Sequence, residues 1–223
     1  MFFLNLLFSN KHQKEFTMKL GHIIYKVDNL EQAVKEYTQK GFTVEYGKKK
    51  NPYNALIYFA NGPYFELLQN TGMPSFVKKI LRFFGKKALI HRLDTWDNAK
   101  EGLIALALEN NRFDVDIEQK ILDDASLKYF KARSGRTDTK NRKLRFLGIM
   151  PDDMQIPFFG TKFNIDVRPP KDYIHPNGVK SIKSISFGTK KEFIPIINQL
   201  CDDEGLKLFI GEGVKDLEFE YVK

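Results

Sequence analysis

His22 and Glu66 are the two side chains of this sequence best placed to do chemistry, because each sits in a short stretch that alternates between two faces. Residues 22–27 read His-Ile-Ile-Tyr-Lys-Val, which puts His22, Ile24 and Lys26 on one face of a strand and Ile23, Tyr25 and Val27 on the other. Residues 64–68 read Tyr-Phe-Glu-Leu-Leu, so Tyr64, Glu66 and Leu68 share a face in the same way. An imidazole and a carboxylate on one concave surface can ligate a divalent metal or move a proton. Asn54 shares a strand face with Leu56 and Tyr58, where its amide can bond a ligand carbonyl or merely end the Asn51-Pro52 turn.

The elements that must position these residues follow the order βαβββ: a strand over 22–27, a helix over 28–40, and strands over 43–46, 54–60 and 64–69. Asp28 and Glu31 have capping-box spacing, Gly41 ends the helix, and Leu30, Ala33, Val34 and Tyr37 form its buried stripe. A second unit follows the same order, with a strand over 103–108, a helix over 114–122 and strands over 127–130, 144–150 and 156–164. Its basic stretch 131–143 reads as a long hairpin loop. Residues 175–223 read as a third, shortened copy with strands over 181–187, 206–210 and 217–222 around a helix over 190–201. Gly41 and Gly47 bracket a strand at the same separation as Gly205 and Gly211, and Thr189 with Glu192 repeats the capping spacing. Pro195 argues for a later start to that helix. Residues 74–87 form a basic amphipathic helix in the connector. The expected division is an N-terminal extension (1–17), a first module (18–72), a connector (73–102), a second module (103–174) and a shortened third (175–223).

With 223 residues, 42% hydrophobic and 13% aromatic, the chain can bury a core and is not disordered by composition. No run reaches the roughly 20 apolar residues of a membrane span. A lone cysteine, Cys201, excludes an intrachain disulfide and a cysteine-based metal cluster and fits a cytoplasmic location. The net charge of +8 favours anionic partners, yet the basic residues are spread over several loops, so a nucleic-acid partner is not expected. The apolar start over 1–8 lacks a cationic flank and a small-residue cleavage site, so it reads as an extension upstream of Met18 rather than a signal peptide.

The stretches Gly21-His-Ile-Ile-Tyr-Lys-Val-Asp-Asn-Leu30, Asn54-Ala-Leu-Ile-Tyr58, Tyr64-Phe-Glu-Leu-Leu68, Pro157-Phe-Phe159 and His175-Pro-Asn-Gly178, in that order, resemble the glyoxalase-like domain family of the vicinal oxygen chelate superfamily. The resemblance implies an α+β fold of repeated βαβββ modules whose curled mixed sheets form a cleft, with helices on the outer faces. In metal-dependent members of the superfamily, a histidine on the first strand and a glutamate on the fourth strand of each module ligate the ion. His22 and Glu66 match the first pair. In the second module the matching positions are Leu103, aligned on the strand-to-helix junction, and Gly160, aligned through the proline-aromatic pairs, and neither can ligate. A metal would need further donors, from His175, Glu218, Glu220 or another subunit.

Two functions stay open ahead of a third, ranked last, in which the basic stretches 78–87 and 131–143 recruit the protein to nucleic acid or an anionic membrane. In one, Glu66 acts as general base and His22, alone or with a divalent metal, polarises a ligand oxygen in an isomerase, lyase or oxygenase reaction on a small anionic or carbonyl compound. In the other, the same cleft binds a small molecule without turnover. Asn54, Tyr58, Tyr64, His175 and Asn177 are the candidate ligand-binding residues in both. His175-Pro-Asn-Gly178 reads as a pocket-edge loop or as a turn into the next strand. A homodimer through the edge strands of the last unit is a further expectation.

Overall fold

The computed structural model describes residues 17–222, so the expectation about the apolar start lies outside the described residues. Met18 is fully buried and bridges Cys201.

The first module is β1 (Lys19–Lys26), α1 (Leu30–Gln39), β2 (Glu45–Tyr46), β3 (Asn54–Ile57) and β4 (Tyr64–Leu68). Helix α1 is capped one residue later than its spacing implies: Asn29, not Asp28, accepts the Gln32 amide at 3.0 Å. Gly41, at φ 82°, turns the chain out of the helix where a side chain would meet Asn177. The connector holds two helices, α2 (Ser75–Phe83) and α3 (Lys87–Asn98). The second module is β5 (Gly102–Asn110), α4 (Asp116–Asp124), β6 (Tyr129–Thr137), β7 (Lys143–Pro151) and β8 (Phe158–Thr161). The presumed long basic loop over 131–143 is mostly strand, because each residue from Tyr129 to Thr137 pairs with β7.

The two modules form one eight-stranded sheet in the order β2-β3-β4-β1-β5-β8-β7-β6. Within each module the first strand runs parallel to the fourth, and the halves join where β1 and β5 pair antiparallel. The sheet curls until its two outer edges are bridged by side chains. Lys140 on the β6–β7 turn reaches Glu45 on β2 at 2.9 Å, and Arg136 on β6 donates to the Gly47 carbonyl and, at 2.7 Å, to the Tyr58 hydroxyl.

Residues 175–223 contribute β9 (Val179–Thr189), a 3₁₀ turn (Lys191–Phe193), α5 (Ile194–Leu200), β10 (Leu206–Ile210) and β11 (Gly213–Tyr221). This small sheet has the order β10-β9-β11, so the strand after the helix lies directly beside the strand before it. That is a simple parallel crossover and differs from the modules, in which the strand after the helix lies at the far edge. Thr189 does not cap the helix; its buried hydroxyl donates to the Gln155 carbonyl at 2.6 Å, and Pro195 occupies the first turn of α5.

Alternation divides the large sheet into two faces. Its outer face sends Ile23, Phe65, Leu67, Leu106 and Leu108 into one core with α1, α4 and the small sheet, where Ile182, Ile185 and Phe187 meet them. Its inner face packs Ile24, Leu68 and Ala105 against Leu89, Ile90, Leu93 and Trp96 of α3, which closes one end of the hollow. Five α-helices are present among the described residues, and no helix among them is long and apolar enough to cross a membrane.

Candidate functional site

The parallel pairing of β1 with β4 places His22 beside Tyr64 and Ile24 beside Glu66, so the imidazole and the carboxylate converge on the inner face one pleat apart. His22 Nε2 lies 3.7 Å from Glu66 Oε2, longer than a hydrogen bond. Asn54, on the neighbouring strand β3 and paired with Leu68, donates its amide to Glu66 Oε1 at 2.8 Å. The imidazole stacks on Tyr64, with ring centres 4.5 Å apart and 11° between planes, and meets Phe158 edge-on at 5.2 Å. Tyr58 leans on Tyr64 at 5.2 Å and accepts from Arg136. His22, Asn54, Tyr64 and Glu66 therefore line one cavity of about 270 Å³, while Tyr58, packed on Tyr64, lines the adjoining groove instead.

His175 and Asn177 lie elsewhere, which corrects the expectation that they edge the cleft. Gly178 donates to the His175 carbonyl at 2.8 Å, so the segment is a turn into β9. The buried His175 ring accepts the Thr43 amide at 3.0 Å and packs edge-on against Phe42 and Phe59 on the outer side of the sheet. Asn177 donates to the Lys40 carbonyl at the end of α1. Four residues that the sequence reading passed over do reach the hollow: Trp96, Glu109, Arg136 and Phe158. Phe158 was recoverable, since Pro63-Tyr64 and Pro157-Phe158 match. Glu109 continues the Ala105, Ala107 alternation one step beyond the point where the strand was expected to end.

Burial sets the charge states. It pushes the His22 imidazole down to about 3, so the ring is neutral across the physiological range. It raises the Glu66 carboxyl, against the hydrogen bond from Asn54 and the charge of Arg136, both of which hold it down. Glu109 is pushed up to about 7, again chiefly by burial, with Arg168 opposing at 3.7 Å. Tyr64 is raised well above its ordinary value by burial, with the charge of Glu66 adding to the effect. A carboxylate made more basic by burial beside a neutral imidazole is suited to accept a proton while the ring bonds an oxygen.

The pairing also identifies the second module's matching positions. Ala107 lies beside Phe158 and Glu109 beside Gly160, as His22 lies beside Tyr64 and Ile24 beside Glu66. The mate of Glu66 is Gly160, as expected. The mate of His22 is Ala107 and not Leu103, which pairs with Tyr25 and packs on the outer core. Counting back from the helix failed because β5 runs longer than its apolar stretch.

This arrangement of paired βαβββ modules around a curled sheet defines the vicinal oxygen chelate class of proteins. The chain belongs to the glyoxalase-like domain family, whose model matches residues 20–194. A Mn(II)-bound glyoxalase from Novosphingobium aromaticivorans is similar over 91% of this chain and 65% of its own, with a TM-score of 0.56 and 9% identity. A methylmalonyl-CoA epimerase from Streptomyces coelicolor, in complex with 2-nitronate-propionyl-CoA, is similar over 66% of this chain and 98% of its own, with a TM-score of 0.41 and 19% identity. A catechol 2,3-dioxygenase is similar over 70% of this chain and 44% of its own, with a TM-score of 0.36 and 10% identity. No curated protein sequence matches the chain. The family match and the likeness to the Mn(II)-bound glyoxalase establish the fold and leave the chemistry to the site.

The donors present do not fit a metal held by three or more protein ligands. His22 and Glu66 supply two, Ala107 and Gly160 supply none, and among the described residues no group of three or more His, Cys, Asp or Glu is placed to hold an ion. The further donors considered from sequence are engaged elsewhere. Glu218 pairs with Lys183 at 2.7 Å and Ser184 at 3.2 Å, and Glu220 accepts from Ser181 at 2.6 Å, all on the small sheet.

Proposed function

We propose that this protein binds a small carbonyl-containing acid in the cleft and catalyses acid-base chemistry on it, of the isomerase or lyase type, with Glu66 as the base. The observation that carries this reading is the buried Glu66 carboxyl, fixed at one oxygen by Asn54 and facing a neutral His22 across 3.7 Å through the other. A ligand carbon seated there would give its proton to Glu66 Oε2, while a carbonyl oxygen alongside takes a hydrogen bond from the imidazole. That bond stabilises the charge that moves onto the oxygen as the proton leaves. The flat stack of His22 on Tyr64 holds the ring in the orientation this requires.

Two further features support an anionic ligand. Arg136 presents its guanidinium to the cavity, and a wider groove of about 900 Å³ that shares Tyr64 and Glu109 with the cleft carries Lys19, Lys162 and Arg168. The cleft itself lies at the small end of ligand-site volumes, so the reacting part of the ligand has few atoms.

The test is exchange of solvent deuterium into a panel of small 2-oxo and 3-oxo acids and their thioesters. The wild type is expected to label one of them next to the carbonyl, and Glu66→Gln to abolish labelling while retaining binding, seen as a shift in melting temperature. Binding without exchange by the wild type would overturn catalysis and leave a small-molecule binding protein.

A further inference from the structure

Helix α2 is turned the wrong way round for a helix of a free-standing soluble protein. Its inner side is held by one buried cation beside Leu81, which packs on the inner core: Lys78, only 8% exposed, bonds Asp94 at 2.9 Å and also Asp97, and the half-exposed Arg82 bonds Asp94, both carboxylates belonging to α3. Its apolar side faces outward, with Phe76 63%, Ile80 50%, Phe83 86% and Phe84 68% exposed. These four fall at the i, i+4, i+7 and i+8 positions of one helical stripe, so they form a continuous ridge. Ion pairs and Leu81 thus hold the helix from within and leave its larger apolar residues outside.

What surrounds the ridge is cationic. Lys79 is exposed on its flank, and Lys87 follows it on α3. Lys86 lies over the Phe130 ring at 5.4 Å. Lys48 lies over the Tyr53 ring at 4.3 Å, and Tyr53 packs on the same core cluster as Met73 and as Leu81 of α2. The nearby carboxylates, Asp94 and Asp97, are spent on Lys78 and Arg82.

We infer that α2 docks this protein on an anionic phospholipid surface, inserting Phe76, Ile80, Phe83 and Phe84 below the headgroups while the surrounding lysines meet the phosphates. An outward ridge of large side chains inside a cationic rim is the geometry of an interfacial helix. A protein groove that received α2 would have to be anionic around its rim as well as apolar, and a phospholipid surface supplies both together. A second copy of the chain is disfavoured by charge, because a two-fold contact through this face would bring two cationic rims together. Docking lies one helix away from the cleft, as α3 carries both the aspartates that hold α2 and the cleft residues Leu93 and Trp96.

The full chain, sedimented with vesicles, tests this. It is expected to bind phosphatidylcholine vesicles containing phosphatidylserine, to bind pure phosphatidylcholine weakly, and to release as salt is raised. A combined Phe76→Ser, Phe83→Ser and Phe84→Ser variant should lose about tenfold or more in partitioning. Phe113→Ser, at an exposed site on the far module, should not change it. Absence of binding to the anionic vesicles would overturn the inference, and so would equal binding by the triple variant, which would place the membrane contact elsewhere in the chain. A concentration-dependent dimer by light scattering, lost in the triple variant and without vesicle binding, would assign the ridge to a second copy and also overturn it. Deuterium exchange in the cleft is measured independently, so neither result depends on the other.

Discussion

In the first half of the curled sheet, the matched positions on β1 and β4 carry His22, Tyr64 and Glu66; in the second half, the same positions on β5 and β8 carry Ala107, Phe158 and Gly160. The backbone plan is shared and the side chains are not. Gly160 leaves no room for a replacement, since a Cβ there would stand 2.7 Å from the Leu147 carbonyl. Two copies of one module plan therefore enclose the hollow, and at the matched positions the imidazole and the carboxylate stand in one copy alone. The second copy supplies an aromatic wall, with Phe158 lying between His22 and Trp96, together with the separate charges Glu109 and Arg136.

The strongest way to break this comparison is kinetic. Glu66→Gln should lower deuterium exchange by about 10²- to 10⁴-fold, the usual worth of a positioned base, whereas Glu109→Gln should cost less than about tenfold. Equal losses would mean that both halves share the reaction. Core truncation asks whether the halves are separable in stability: Leu67→Ala in the first and Leu108→Ala in the second, both in the common core, should each cost about 2–5 kcal/mol in a single urea transition. Two transitions would show independent units. Gly160→Ala should destabilise by about 1–3 kcal/mol, because backbone rather than a flexible side chain blocks the new methyl. A neutral result would show that β8 can move aside.

The subtlest test is the pH dependence of stability. His22 is lowered from 6.5 to about 3, so its contribution is complete above 6.5 and is lost as pH falls towards 3. Glu109 is raised from 4.5 to about 7, so its contribution is complete below 4.5 and is lost as pH rises to 7, and Glu66 acts in the same direction. Between 4.5 and 6.5 His22 opposes the two carboxyls, one of them in its own half of the sheet and one in the other. His22→Ala should leave a decline with rising pH across that window, and Glu109→Gln should shift the balance towards a rise. A full one-proton difference amounts to about 1.4 kcal/mol per pH unit.

Much of this was legible in the sequence where one face was buried and the other was not. The meeting of His22 with Glu66 followed from period-two alternation on β1 and β4, and the parallel pairing of those strands preserved it. Asn54 and Tyr64 followed for the same reason. Strand β6 was hidden because Lys131, Arg133, Ser134 and Arg136 give it no apolar alternation; it is held by its ladder with β7 at an edge of the sheet. His175 misled because its turn chemistry is visible locally, while the side of the sheet it reaches is set by β9 and the small sheet. Trp96 was hidden because nothing in its neighbours indicates that α3 folds back over the inner face.

The side-chain bridges between the outer edges of the large sheet give the hollow a seam rather than a weld. Where a closed barrel continues its backbone ladder, this one joins β2 and β6 through Arg136 and Lys140 reaching Gly47, Tyr58 and Glu45. Parting that seam breaks no strand pairing and exchanges a few charged contacts for water, each worth about 1.5–3 kcal/mol at most. Arg136 supplies two of the three bonds of that clasp, so removing its guanidinium would leave Lys140 and Glu45 to fasten the edges.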